Sequence, residues 1–380
     1  MDIPQDMINE VIDILYDSDD SKALKACTSV SHSFRLRSRK LLFSTITIDS
    51  PRLVRALRSL LYQRPEVSRL IQKLCISSLD RDTLMQLPLV LPRLNYVQHL
   101  ELGGKNGHVR LDKILTDYNL MIMEVLRLPQ IHTLSLSSIW NFPSAFLRIP
   151  PHLTHLNMMF VECVRSPRLE SAITILNQPL KSVHIHDLLA IPQWPLAESC
   201  GFRRLVMGKS GQRVQPIVDA GSQSIEEIIW RNYMFYDYGS VDFSKLQNLR
   251  ILSFEILVAR DMETPQITLL WESITSLLKQ RAVAQSLEIL NFAIKPHQTL
   301  GYLERDIVYF GQGTLWSLLA DPSYFPRMRK VTVHLVNEFH DSPVKNETFR
   351  SAVSQNFPLL EATGMLHTKL CNDFDWTNFL

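Results

Sequence analysis

One short run in this chain of 380 residues has residue types found in phosphate sites. Gly208, Lys209 and Ser210 follow one another in the order that ends a phosphate-binding loop. That loop also needs a glycine five residues before Gly208, because its backbone N–H groups must wrap the phosphate, and the chain has Arg203 there. We therefore expect no nucleotide and no cofactor at this place.

A second set of residues could bind a metal. His184 and His186 alternate onto one face of an expected strand, and His155 precedes them on the same face of the strand before. Three imidazoles can hold zinc, but no Cys, Asp or Glu is spaced to complete the ligands. The five cysteines are odd in number and far apart, without a C-x-x-C pair. We expect no metal site and no catalytic centre.

The charge balance sets limits on partners. The chain has 40 Lys and Arg against 38 Asp and Glu, a net charge of +2 that gives no general reason to expect nucleic acid or a membrane. The N-terminus is acidic and lacks the features of a signal peptide, and no apolar run has the length of a membrane span. The expected location is cytoplasmic or nuclear.

One pattern, apolar-x-x-apolar-x-apolar, recurs beyond residue 70 and predicts a series of strands, which would also position the three histidines. Six of the nine intervals between its central residues, here called anchors, are 22 to 27 residues, within the range of leucine-rich repeats. Period-two alternation within each copy predicts a strand with its anchor in the core. The ten anchors are Leu74, Leu100, Leu134, Leu156, Val183, Leu205, Ile228, Leu252, Leu290 and Val331.

Helix-period segments lie between the expected strands, so the predicted fold is α/β, an irregular solenoid of about ten strand-helix repeats. The residues beside each anchor point to the other face of its strand, here called the flanking face, which we expect to be solvated. They form a polar set that either binds a protein substrate or is merely exposed to water. The candidates are Lys73, His99, Glu101, His155, Asn157, His184, His186, Arg204, Glu227, Arg231, Glu255, Asn291, Lys330 and His334.

The first 48 residues follow a different pattern. Pro4 and Asp6 precede paired aliphatics, a second cluster includes Leu24, Cys27 and Val30, and the segment closes with Leu42 to Ile48, LFSTITI. This resembles the F-box of fungal F-box proteins with leucine-rich repeats, although Ile3 stands where leucine is usual and Phe34 where many members have tryptophan. The resemblance implies adaptor contacts from Ile3, Pro4, Met7, Ile8, Val11, Ile12, Leu15, Leu24, Cys27, Val30 and Phe34.

The resemblance also implies a domain order and a function. Residues 1–48 would be the F-box-like module, 49–70 a linking amphipathic helix and 71–380 a leucine-rich-repeat-like solenoid with a C-terminal cap. A protein of this family binds a Skp-type adaptor, joins a cullin-type ubiquitin ligase through it and presents a protein substrate without catalysing the reaction. Two alternatives stay open: a leucine-rich-repeat scaffold outside ubiquitination, and aliphatics that only form the core of a helical cap.

Overall fold

The structure is a computed structural model that describes residues 4–18, 20–104, 107–111, 116–164, 180–186, 201–208, 211–232, 241–258, 264–296, 314–336 and 346–371. Ile3, Lys209 and Ser210 lie outside the described residues. The chain forms two compact units, residues 1–157 with 161–178, and residues 158–160 with 179–380.

The first unit opens with three helices and continues with parallel strands separated by helical segments. Its described helices are α1 Gln5–Asp17, α2 Ser21–Cys27, α3 His32–Ser44, α4 Pro51–Gln63, α5 Arg81–Gln86 and α6 Thr116–Leu126. The strands of its main sheet are β1 Thr45–Ile48, β2 Lys73–Ile76, β3 His99–Gly103, β4 Thr133–Ser137 and β5 His155–Met159, the last ending at the boundary of the unit. Two separate parallel pairs of two-residue strands join Val109–Arg110 to Ile139–Trp140 and Phe142–Pro143 to Cys163–Val164. Strands β1 to β4 pair in the order of the chain, all parallel.

The second unit repeats this arrangement. Its described strands are β6 Ser182–His186, β7 Arg204–Met207, β8 Glu227–Asn232, β9 Ile251–Val258, β10 Ile289–Pro296, β11 Lys330–Val336 and β12 Leu366–Cys371. Each strand pairs in parallel with the next. Its described helices are α7 Gln215–Ala220, α8 Thr264–Leu278, α9 Arg281–Ser286, α10 Thr314–Leu319, α11 Asn346–Asn356 and α12 Pro358–Ala362. The predicted α/β class and the parallel array of strands are confirmed.

The ten predicted anchors form the core of both arrays, because each has at most 1% of its surface exposed. The register stacks them in columns: Leu74 pairs with Leu100 and Leu100 with Leu134 in the first unit. In the second unit Leu252 pairs with Leu290, and Leu290 with Val331. Alternation along a strand therefore predicts the buried face correctly.

A repeated backbone contact holds this register. The carbonyl oxygen two residues before an anchor accepts two N–H groups from the start of the next strand. The oxygen of Gln72 accepts the N–H of Gln98 at 2.8 Å and of His99 at 3.0 Å. That of Arg250 accepts the N–H of Glu288 at 2.9 Å and of Ile289 at 3.0 Å. Each strand thus fixes where its neighbour begins.

The arrays extend beyond the predicted copies at both ends. The segment TITI, expected to close the helical module, is strand β1, and Ile46 pairs with Leu74. Its β-branched residues suit a strand more than a helix. At the other end, helix α12 is followed by strand β12, which pairs with β11 and closes the array.

Helix α4 has the amphipathic character predicted for the linking segment of residues 49–70. Val54, Leu57 and Leu61 are buried, at spacings of three and four residues, whereas Leu53 is 40% exposed. Leu53 lies about 100° around the helix from Val54, which is enough to turn it to solvent. None of the helices in the described part of the chain combines the length and apolar composition of a membrane crossing.

Aromatic rings fill the core of the second unit. Phe292, on β10, is 1% exposed, and its ring centroid lies 5.7 Å from that of Phe254 on β9. Trp271 of α8 and Trp316 of α10 each approach it to 5.5 Å at steep angles. Edge-to-face and offset pairs of this kind stabilise beyond their buried area.

We predict that Phe292→Ala lowers the free energy of unfolding by about 3 to 5 kcal/mol, because it leaves a cavity among three aromatic neighbours. The matched control is Leu359→Ala on α12, where the side chain is 55% exposed and the expected change is within about 0.5 kcal/mol. Urea unfolding monitored by circular dichroism measures both. Equal midpoints for the two variants would contradict this description of the core.

Candidate protein-interaction surfaces

The N-terminal helices enclose a small core of their own. Ile8, Ile12 and Leu24 are 7%, 0% and 3% exposed, and Leu15 and Phe34 pack against them half-buried. All five belong to the predicted adaptor contacts. Ile8, Ile12 and Leu24 therefore face inward in the isolated chain and hold the three helices together.

Polar contacts orient the same three helices. Asp20 caps α2 by accepting the N–H of Ala23 at 2.9 Å. The guanidinium of Arg37 on α3 donates from Nε to Oδ1 of Asp13 at 3.0 Å and from Nη2 to Oδ2 at 2.7 Å. This two-point ion pair joins α3 to α1, and its planar geometry fixes the orientation as well as the distance.

A second apolar stripe of α1 faces solvent. Met7, Val11 and Ile14 are 56%, 49% and 59% exposed, and their spacings of four and three residues place them on one side of the helix. Val30 and Leu36 are also exposed, at 65% and 58%. Ile14 and Leu36 are not among the predicted adaptor contacts, although the helical period from Met7 and Val11 predicts Ile14. Of the other predicted contacts, Pro4 is exposed and Cys27 is half-buried.

On the flanking face of the first unit, polar side chains contact one another across strands. Lys73 Nζ lies 3.0 Å from the carboxylate of Glu101, and this hydrogen bond raises the pKa of Lys73. Asn157 donates from Nδ2 to the hydroxyl of Ser135 at 3.0 Å. His99 is exposed and His155 is half-buried. Burial, followed by the charge of Lys73, lowers the pKa of His99.

Cys75 lies on the same face between these groups, with Sγ 3.6 Å from the carboxylate of Glu101. Burial, assisted by that carboxylate, raises the pKa of the Cys75 thiol to about 11. Because a thiolate is the reactive form, Cys75 is a protonated and unreactive thiol at neutral pH.

Ion pairs cross the flanking face of the second unit between residues that are register partners. Arg204 Nε lies 3.3 Å from the carboxylate of Glu227, and Arg231 Nε lies 3.5 Å from that of Glu255. Lys295 Nζ also approaches Glu255, at 3.0 Å. Burial raises the pKa of Glu227, and Arg204 opposes that rise.

The expectation that the flanking face is solvated is wrong for part of this unit. Glu255, Asn291 and His334 are 3%, 8% and 1% exposed, and Ile229 and Ala293 on the same face are fully buried. Asn291 donates from Nδ2 to Ser253 Oγ at 3.0 Å, which satisfies part of its buried amide. Lys330 is exposed.

His186 at the end of β6 lies close to Gly208, which follows β7. His184 and His186 are half-buried. A Cβ on Gly208 would lie 3.1 Å from His186 Cα and 3.0 Å from its Cδ2, so a larger residue there would require the end of β6 to shift by a few tenths of an ångström. Packing thus explains Gly208. In the described part of the chain, no three His, Cys, Asp or Glu side chains form a group that could hold a metal ion.

A pocket of about 340 Å³ opens on the flanking face of β8 to β12. One row of its lining comes from the residues before the anchors: Glu227, Ile251, Ile289 and Lys330. The next row comes from the residues after them: Ser253, Asn291, Thr332 and His367. His334 and Lys369 complete the end nearest β12. The sequence prediction includes Glu227, Asn291, Lys330 and His334 of this lining.

The buried His334 predicts a pH dependence. Burial, with the charges of Lys369 and Lys330, lowers the pKa of His334 from 6.5 to about 4. Between pH 6.5 and 4, His334 is therefore protonated in the unfolded chain but not in the folded chain. Protonation favours the unfolded chain, so the free energy of unfolding that is present above pH 6.5 decreases as the pH falls towards 4. We expect His334→Gln to flatten the decline of the unfolding free energy in this range. Urea unfolding at several pH values measures this decline, and His32→Gln, a change at an exposed histidine, is the control. Parallel pH profiles for wild type and His334→Gln would contradict a lowered pKa of His334.

No model of a known protein family matches the chain, and no curated protein matches it. A chain in the crystal structure of the Rad7 and Elc1 complex in yeast is similar at 12% identity and a TM-score of 0.35, covering 90% of this chain and 91% of that chain. An internalin from Listeria monocytogenes is similar at 11% identity and a TM-score of 0.29, covering 86% and 95%. Both TM-scores are below 0.5, so neither similarity decides the fold or the function of this chain.

Proposed function

We propose that this chain is a non-catalytic substrate-recognition subunit of a cullin-type ubiquitin ligase. In this proposal the F-box-like module of residues 1–48 binds a Skp-type adaptor, and the strand arrays are a leucine-rich-repeat solenoid that binds the protein substrate. The observation that carries the proposal is the exposed stripe of Met7, Val11 and Ile14 on α1. It lies beside a core that is already complete, so it contributes little to the folding of the module.

The stripe suits a protein partner for energetic reasons. Complete burial of an aliphatic side chain contributes about 1.5 to 3 kcal/mol. Because Met7, Val11 and Ile14 are 49% to 59% exposed, covering what remains would contribute about half of that for each residue. Val30 and Leu36 add further exposed apolar surface in the same module. Clustered exposed aliphatics of this kind are typical of interaction sites.

The proposed role of the arrays is positional. Parallel repeats bring residues that are distant in sequence into neighbouring columns, which creates an extended surface without any single catalytic group. The ion pairs Arg204 with Glu227 and Arg231 with Glu255 cross neighbouring strands and orient their charged side chains. Ligase partners would carry out ubiquitin transfer, and the receptor would raise its rate by holding the substrate nearby.

We predict that a Skp-type adaptor co-purifies with the full chain, and that Val11→Asp or Ile14→Asp weakens this binding by more than about tenfold. A carboxylate at either position would be buried without a partner in the complex, which is costly. Because both side chains are exposed in the free chain, the melting temperature should not change. Pull-down followed by calorimetric titration measures the binding.

The matched control is Leu359→Asp, an equivalent change at a 55% exposed leucine outside the module, which should bind like the wild type. Ile8→Asp serves as a second reference, because Ile8 is part of the module's core and its loss should unfold the three helices. Equal adaptor recovery from wild type, Val11→Asp and Ile14→Asp would contradict the proposed interface. A wild-type chain that recovers no adaptor would favour a scaffold outside ubiquitination.

A further inference from the structure

The pocket over β8 to β12 has a positive end. Lys330 on β11 and Lys369 on β12 line it there with His367, and all three are exposed. The register pairs Thr332 with His367 and His334 with Lys369, so these side chains share the flanking face. Lys330 makes no ion pair with any residue in the described part of the chain.

Among the described residues of the lining, the one carboxylate lies at the opposite end of the pocket. Glu227 is on β8, three strands from β11, and its charge is compensated by Arg204 at 3.3 Å. Its effect on a ligand near Lys330 is therefore reduced. The described residues of the lining include two ammonium groups, those of Lys330 and Lys369, and one carboxylate, which pairs with Arg204.

A buried hydroxyl in the lining also points to a ligand. Thr332, between Lys330 and His334 on β11, is 5% exposed, and its Oγ1 has no hydrogen-bond partner among the described residues. A buried hydroxyl without a partner is unfavourable in the free protein. A ligand oxygen that accepts its proton would remove this penalty.

The middle of the pocket is apolar. Ile251 of β9 and Ile289 of β10 are half-buried and lie in one row with Lys330. A ligand that places an anionic group at the lysines would therefore place a neighbouring group against aliphatic carbon. An alternation of acidic and aliphatic side chains in a peptide meets both requirements.

We propose that this pocket binds an acidic peptide segment of the protein substrate, with an Asp or Glu carboxylate between Lys330 and Lys369 and an aliphatic neighbour against Ile251 and Ile289. The carboxylate accepts hydrogen bonds from the two ammonium groups and from the Thr332 hydroxyl. The described residues of the lining include no arginine, the side chain whose planar fork matches phosphate in two places. This favours a carboxylate over a phosphoryl group. The inference rests on the proposed role as a substrate receptor and names the substrate class.

The test uses the full chain and short fluorescein-labelled peptides in which glutamate alternates with leucine, with fluorescence anisotropy as the readout. The glutamine version of the peptide should bind at least about tenfold more weakly, because it lacks the charge. Lys330→Glu combined with Lys369→Glu should cause a similar loss. The matched control is Lys181→Glu combined with Lys279→Glu, which makes the same charge change at exposed lysines outside the pocket and should bind like wild type.

A third variant separates binding from folding. Thr332→Val keeps the shape of the side chain and removes the hydroxyl without a partner, so the melting temperature should stay equal or rise. The affinity for the glutamate peptide should nevertheless fall. A purely structural role of Thr332 would leave that affinity unchanged.

Three results would overturn the inference: equal affinity for the glutamate and glutamine peptides, full binding by the Lys330 and Lys369 double variant, or a wild-type dissociation constant above about 1 mM. If a phosphoserine peptide binds more than about tenfold tighter than the glutamate peptide, the group bound at the lysines is a phosphate and not a carboxylate. Adaptor recovery is measured on the same preparations. Adaptor binding without peptide binding refutes the pocket alone, whereas peptide binding without adaptor recovery supports the pocket and refutes the ligase role.

Discussion

The parallel hydrogen-bond ladder is the constraint on which the rest of the structure depends. In both units the carbonyl two residues before an anchor accepts two N–H groups of the next strand, as Gln72 and Arg250 do. This contact fixes the register, and the register stacks the anchors into columns in which each is at most 1% exposed. A strand in such an array cannot cover its anchor alone, so folding is cooperative between neighbours.

The same register decides the chemistry of the flanking face. Arg204 and Glu227 are direct register partners, as are Arg231 and Glu255, and each pair forms an ion pair. A register shift by one residue would turn these side chains into the core. Desolvation offsets much of the attraction within a buried pair such as that of Glu255, so these contacts contribute more to the choice of register than to net stability.

The N-terminal module divides its apolar residues between two tasks. One stripe of α1, with Ile8 and Ile12, completes an internal core, whereas the adjacent stripe with Val11 and Ile14 remains exposed. The two stripes have the same composition and nearly the same sequence positions. Their separation into core and proposed interface depends on how α2 and α3 pack, because those helices cover one side of α1.

The anchors follow from the sequence alone, since alternation along a strand and the interval between copies are local properties of the chain. The sequence also predicted the polar candidates on the flanking face. Which of these are buried, as Glu255 and His334 are, and which face solvent, as Lys330 does, depends on the tertiary structure. Burial on that face depends on contacts between segments that are far apart in sequence, and a local sequence pattern does not predict such contacts.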